Sequence, residues 1–408
     1  MTHDSRRRGL LTGAAALALA PRAFAQALPA ARGDARLVVV FLRGALDGLS
    51  AFVPWSDPDY ARLRPGIALP APDGTAQTAL RLDDRFALHP ALGALLPLWQ
   101  QGVLAVVPAA GSPDGTRSHF DAQYQWETAR PGQTGDAPGW LATLAALGGA
   151  PDGTRAIGVG EANPRILAGR GAVRLVARGK AAERAGALDD ARTRDALLAL
   201  YDGPDALSQA FRQGAQSRLQ TAQDLSREMQ AASNGAAPPA QLAQDARHLG
   251  TLMRQEPALR LGFLSAGGWD THAGQGAATG PLATNLGRLA DALLQLRRDF
   301  DRPGDVIVVA SEFGRTAAEN GTRGTDHGHG NAMWLIGQRI AGGRWHGRWT
   351  GLAQANLHEA RDLPVHHDFR AVLAQVLRPA LALSDSELQA VLPGARWDPA
   401  LDGLLRRG

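Results

Sequence analysis

The sequence predicts an α/β protein built on a mostly parallel sheet with a helical insertion. Three observations point there. Short continuous runs of aliphatic and β-branched residues alternate with stretches of helical period, the pattern of strands joined through crossover helices. The runs are apolar throughout, as in strands covered on both faces. Polar, glycine-rich clusters follow the predicted strands, where a parallel sheet binds its ligands.

Residues 37–42, Leu-Val-Val-Val-Phe-Leu, form the first strand and stop near Gly44. Residues 91–101 predict a helix and 103–107 the next buried strand. A loop rich in Gly, Pro, Ser and Asp covers 108–117, and a helix begins near Ser118, a favourable N-cap residue. Short strands follow at 156–159 and 173–177. From about 182 to 256 the chain is rich in Ala, Leu, Gln and Arg, broken at Pro204, Asn234 and Pro238-Pro239. That predicts about three helices, inserted into or capping the main fold. Residues 260–265 return to strand. Leu282, Leu286, Leu289, Leu293 and Leu296 lie on one stripe of a helix over 282–300. Strands at 306–310 and 333–336 and a helix at 369–377 complete the series.

A chain of 408 residues, 45% hydrophobic and 20% charged, can bury a large core without a metal or disulfide. It has no cysteine. Disulfide scaffolds, zinc fingers, iron–sulfur clusters and cysteine nucleophiles are therefore excluded, and any metal must take oxygen and imidazole ligands. Lys+Arg exceeds Asp+Glu by 43 to 39. Most of that excess sits in the first 25 residues, and no basic stripe with interleaved aromatics exists, so nucleic acid is not the expected partner.

Arg6-Arg7-Arg8 precedes Gly9-Leu10-Leu11, an apolar run over 14–20 and Ala23-Phe24-Ala25. The pattern is that of a cleavable twin-arginine signal at 1–25, with 26–408 as one domain carrying the insertion at about 182–256. The expected location is periplasmic or secreted. No later run approaches the ~20 apolar residues of a membrane span.

Five polar clusters carry the candidate chemistry. Asp47 follows the first strand, in Arg43-Gly44-Ala45-Leu46-Asp47-Gly48. Ser118-His119-Phe120-Asp121 stands at a strand-to-helix junction. Asp270 and His272 lie in Gly268-Trp269-Asp270-Thr271-His272. Glu312 and Arg315 follow the strand at 306–310, and Asp326, His327 and His329 come shortly after. Carboxylates and imidazoles gathered at one sheet edge repel or are desolvated at a cost unless a cation joins them. Imidazole nitrogen with carboxylate oxygen suits Zn, Mn or Fe. Each cluster also has a plain alternative. Asp47 could close a turn, Ser118 could only cap its helix, Asp270 and His272 could lie in a glycine-rich loop, and Glu312 with Arg315 could be a surface ion pair. His346 with Trp345 and Trp349, and His366-His367-Asp368, read as packing and as a helix cap. His89, His248 and His358 read as structural, and Trp126 and Trp140 as packing residues. Gly158-Val159-Gly160 lacks the third glycine of a dinucleotide loop, and Lys180 lies in no phosphate-binding loop.

The runs at 37–49, Arg117-Ser-His-Phe-Asp121, Gly268-Trp-Asp-Thr-His272, Ser311-Glu-Phe-Gly-Arg-Thr316 and Gly324-Thr-Asp-His-Gly-His-Gly330 resemble the domain-of-unknown-function family 1501, over roughly residues 36–380. The resemblance implies an exported bacterial protein of the alkaline phosphatase and sulfatase superfamily, with a doubly wound sheet and a binuclear metal site. By that likeness Asp47 matches the first acid, Ser118 the nucleophile, and Asp270 with His272 the Asp–His pair. Glu312 falls where the Asp of an Asp-His stands, with Phe313 in place of the His. His327 or His329 would then supply the remaining imidazoles, with Asp326 as a further ligand.

The expected function is that of an exported metal-dependent hydrolase of phosphate-type esters. A small anionic ester would be the substrate. One or two divalent ions would serve it, Zn before Mn, Fe or Ca, with Ser118 attacking and Arg43 or Arg315 clamping oxygens. Sulfatase chemistry through formylglycine is not expected, because no Cys or Ser stands in the required Pro-x-Arg context. The alternatives are a metal-stabilised binding or assembly protein working with an exported partner, and a metal-dependent oxidoreductase.

Overall fold

The computed structural model describes residues 35–147, 156–160, 164–177, 190–216, 219 and 241–406. The signal expected at 1–25 lies outside the described residues. Among the described residues twelve strands are formed: β1 (Leu37–Leu42), β2 (Phe52–Val53), β3 (Leu80–Arg81), β4 (Ala87–Leu88), β5 (Leu104–Gly111), β6 (Ala156–Gly160), β7 (Val173–Ala177), β8 (Leu261–Ala266), β9 (Val306–Ser311), β10 (Asn331–Ile336), β11 (Arg344–Trp345) and β12 (His367–Asp368). Nine make one sheet in the order β11-β5-β10-β9-β1-β8-β6-β7, with β12 paired to β5. The fold is mixed α/β on a mostly parallel central sheet.

β1 sits at the centre of this sheet. It runs parallel to β8 on one side and β9 on the other, with Leu37 opposite both Leu261 and Val306 and Leu42 opposite Ala266 and Ser311. Every residue of β1 is buried. Alternate residues point to opposite faces, so Val38, Val40 and Leu42 enter one core and Leu37, Val39 and Phe41 another. The first core is covered by the helices Gln241–Gln255 and Pro281–Asp299, and all five leucines of the predicted stripe are buried in it. The second is covered by the helices His119–Thr128, Trp140–Ala146, Phe369–Ala380 and Asp385–Val391. There Trp126 packs between Phe41 and Phe369, at centroid distances of 4.5 and 5.6 Å. Ser118 caps the helix His119–Thr128 and Asp368 caps Phe369–Ala380.

Several expectations need correction. β10 runs antiparallel to both of its neighbours, β5 and β9. It therefore starts at the edge where the parallel strands end. The helix expected over 91–101 is a 3₁₀ stretch, Pro90–Leu95, followed by a short α-helix, Leu96–Gln100; Pro97 lacks the backbone donor a continuous helix would need there, whereas Pro90 at the first position is tolerated. The stretch at 182–256 is helical where described, at Ala191–Leu200, 206–216 and Gln241–Gln255. Its last helix is a cover of the main sheet rather than an appendage. A small antiparallel sheet, β2-β4-β3, went unpredicted because its two-residue strands carry no periodic signal. Among the described residues no helix is long and apolar enough to cross a membrane.

Candidate metal centre

The carboxyl ends of β1, β5, β8 and β9 and the start of β10 lie along one edge of the sheet. The connection from β9 to β10 folds back on itself. Gly314 N donates to His329 O (2.9 Å), Gly328 N to Gly314 O (2.8 Å) and Thr316 N to Asp326 O (3.0 Å). Residues 312–330 thus continue the strand pairing as an irregular hairpin across the edge. The turn after β1 presses against the segment after β8. Gly44, at φ 110°, stands where a Cβ would meet Asp270 N at 2.8 Å, so only glycine allows this approach.

His327 lies at the middle of the cluster. Its Nε2 is 3.0 Å from His119 Nε2, 3.0 Å from His272 Nε2 and 3.3 Å from Asp270 Oδ1. Asp270 Oδ1 is also 2.9 Å from His272 Nε2 and 3.6 Å from His119 Nε2. The opposite nitrogen of each ring faces an acceptor. His119 Nδ1 donates to Glu312 Oε1 (2.8 Å), His272 Nδ1 to Asp326 Oδ1 (3.1 Å) and His327 Nδ1 to the Arg117 carbonyl (2.8 Å). A carbonyl or carboxylate can only accept, so these partners fix the proton on Nδ1 and leave each neutral ring a lone pair on Nε2. Three such lone pairs and a carboxylate oxygen then converge with few protons to share. That donor set fits a divalent cation, with each imidazole oriented from behind as metal-ligating histidines are. His119, Asp270 and His327 form a group able to hold a metal ion, and His272 adjoins it.

The electrostatics follow from these partners. Burial pushes the Asp270 carboxyl up, but the Arg315 hydrogen bond and charge outweigh it and hold the group below its ordinary range. Burial likewise acts against the Glu312 carboxylate, and hydrogen bonds from His119 and Gln123 reverse the sign. The Glu312 bond raises His119 above the usual imidazole range. Burial depresses His327. The Asn320 hydrogen bond lowers Asp326.

The remaining candidates occupy other positions. Glu312 has no exposed side chain and spends its oxygens on His119, Gln123 Nε2 (2.8 Å), Gly44 N (2.8 Å) and Ser311 Oγ (2.9 Å). Asp326 backs His272. Arg315 is buried and donates to the carbonyls of Gly44, Ala45, Trp269 and Thr325 and to Asp270, so it fixes Asp270 instead of meeting solvent. Arg43 binds Gln123 Oε1 (2.7 Å) and Glu127 Oε1 (2.6 Å). Asp47 lies in a separate buried network with Arg64, Ser50 and Gln275. His329 is buried with its ring 4.5 Å from that of His358. Ser118 accepts from Asp121 N at 3.4 Å as a helix cap, between Arg117, whose carbonyl holds His327, and His119. His119 is not among the ligands expected from the sequence, although Ser118-His119 is one of its clusters. The signal was Phe313. The imidazole missing there comes from position 119, and Phe313 lies against both rings, 4.9 Å from His119 and 5.2 Å from His327.

Glu312→Gln tests the support behind His119. Removing the charge is expected to weaken metal affinity about 10–100-fold, as for other groups that orient ligands, measured by competition with a chelator. An unchanged affinity would show that Glu312 does not orient the ring.

Residues 34–392 match a family described as "Protein of unknown function (DUF1501)". No curated protein matches. Among solved structures the chain is similar to the phosphonoacetate hydrolase from Sinorhizobium meliloti 1021, crystallised in complex with phosphonoacetate. Identity is 14%, coverage 69% of this chain and 57% of that one, and the TM-score 0.33. The chain spans just over half of that protein's length, and a likeness this low transfers neither fold nor activity.

Proposed function

The chain belongs to this family of unknown function, so its activity has to be read from its own residues, and we propose that it is a divalent-metal-dependent hydrolase of phosphate-type esters. The observation that carries the reading is the convergence of three imidazole Nε2 atoms and the Asp270 carboxylate on one point of the sheet edge. In this reading His119, His272, His327 and Asp270 hold one ion, zinc before manganese, iron or calcium. Glu312, Asp326 and the Arg117 carbonyl orient the three rings, and Arg315 fixes Asp270. When bound, the cation supplies Lewis-acid stabilisation of ester oxygens and makes a neighbouring hydroxyl easier to deprotonate.

Ser118 is the proposed nucleophile. Its oxygen would bond to phosphorus as the ester P–O bond breaks and the alcohol departs with the serine proton; water would then attack phosphorus, releasing phosphate and restoring the serine hydroxyl. The helix that Ser118 caps offers its N-terminal amides to an anionic group. The proposed architecture is the doubly wound, alkaline phosphatase-like sheet as a single domain over 26–408, with a helical insertion near 182–256. Export to the periplasm through the twin-arginine signal is part of the same proposal.

The test joins metal analysis of the purified protein to a phosphomonoester and phosphodiester panel. Near-stoichiometric metal and turnover are expected, with Ser118→Ala keeping the metal and losing turnover. If Ser118→Ala keeps its turnover and loses only about 1 kcal/mol of stability, Ser118 is a cap alone. Iron with a visible absorption band and no hydrolysis would favour redox chemistry. A second reading, a binding or assembly protein, is favoured by the openness of the site. The Asp270 side chain is 46% exposed and neighbouring Phe120 88%. Bound metal, no turnover and saturable binding of one exported partner would support it.

A further inference from the structure

A cavity of about 270 Å³ opens at the same sheet edge, on the face of the first core. It lies between the start of the described helix Gln241–Gln255 and the N-terminal half of Pro281–Asp299, past the carboxyl end of β8. Trp269, next in sequence to Asp270, forms its wall with Ala266 and Leu242. The polar lining comes from Gln241, Asn285 and Arg288, and among the described residues no carboxylate lines it.

The guanidinium of Arg288 distinguishes this cavity. Arg43, Arg117, Arg315 and Arg361, around the metal centre, are each engaged by side-chain or backbone oxygens. Among the described residues no hydrogen bond or ion pair engages Arg288. Asn285 lies one helical turn before it, on the same face. The Asn285 amide donates to Gly268 O at 2.7 Å, which ties the segment leading to Asp270 against the helix. An amide nitrogen carries two hydrogens, so one remains for a ligand. The cavity therefore offers a charged donor and amide donors beside an indole and two aliphatic walls. Its size, below that of most pockets for drug-sized ligands, suits one anionic group with a small apolar neighbour.

We propose that this cavity is a subsite for an anionic group, carboxylate or phosphate, carried on a short apolar segment and set apart from the reacting bond. As a substrate subsite it rests on the hydrolase reading. As an anion-binding cavity it stands without that reading, because none of its lining residues is a metal ligand. It gives the substrate a second anchor beside Trp269, the residue before Asp270.

The probe is phenylphosphonate, titrated calorimetrically into the metal-loaded full chain and into His327→Ala, in which the centre is disabled. Binding is expected in both. In each background Arg288→Ala should weaken it about 10–100-fold, the loss expected for hydrogen bonds to a charged group, with metal content unchanged. Arg288→Lys should recover part of the loss. Equal affinity with and without Arg288, or no binding at millimolar probe to the His327→Ala protein, overturns the proposal. Absence of metal or turnover with Arg288-dependent binding intact would instead remove the hydrolase reading and leave the cavity as an anion site.

Discussion

Replacing His327 by alanine is expected to empty the metal centre. Its Nε2 is the atom that comes within 3.3 Å of the donor atoms of His119, His272 and Asp270. No other residue of the hairpin could take its place. Asp326 is turned to the back of His272, and His329 packs on His358. Removing a group that merely orients a ligand weakens metal binding about 10–100-fold, so losing the ligand itself should exceed that range. Bound metal should fall from about one equivalent to a trace by mass spectrometry, and turnover should vanish with it. The alanine is unlike a core truncation, because the ring is partly exposed and its loss opens space toward solvent. A variant that keeps its full metal content would sink the assignment of these residues to one cation.

Asp47 should behave in the opposite way, costing stability and sparing the metal. Its Oδ2 accepts from Arg64 Nη1 (2.6 Å), Ser50 Oγ (2.7 Å) and Gln275 Nε2 (2.7 Å), and both charged side chains are buried. Asp47→Ala leaves the Arg64 guanidinium buried without its counter-charge. Breaking a buried pair in this way costs about 3–5 kcal/mol, read from denaturant unfolding. Burial pushes the Asp47 carboxyl up, yet the Arg64 charge and the three hydrogen bonds prevail and hold it below its ordinary range. The contribution is therefore present above the unfolded-state pKa of about 3.9 and is lost as pH falls through the lower, folded value. The wild type should lose its advantage over Asp47→Ala on acidification through that window. A variant as stable as the wild type but depleted of metal would make Asp47 a ligand.

The sheet was legible because its strands are continuous apolar runs. Residues 37–42, 173–177 and 306–310 needed no tertiary information. The direction of β10 was not, since an apolar run reads the same both ways and the hydrogen-bond ladder decides. The clustering of Asp270, His272 and His327 could be anticipated from their places after strands. What each acid does could not. Glu312 and Asp326 look like ligands in sequence, but only the fold sets each carboxylate against an imidazole Nδ1. His119 was hidden for a similar reason. The helix cap at Ser118 drew attention to the hydroxyl, while the following ring supplies the donor. Arg43 and Arg315 looked available because nothing in sequence records the carbonyls and carboxylates that engage them.

The antiparallel return of β10 bears on the order in which the molecule assembles. Had β10 been parallel, its connection from β9 would have needed a long crossover. Instead Glu312, Arg315, Asp326 and His327 belong to one hairpin whose backbone pairs close over short separations. Contacts of low sequence separation form early, because little chain entropy is lost in closing them. His272 joins His327 across 55 residues, and His119 across 208. The hairpin is thus a local template. The distant imidazoles can dock on it only after the central sheet has closed, which makes completion of the centre a late event in folding.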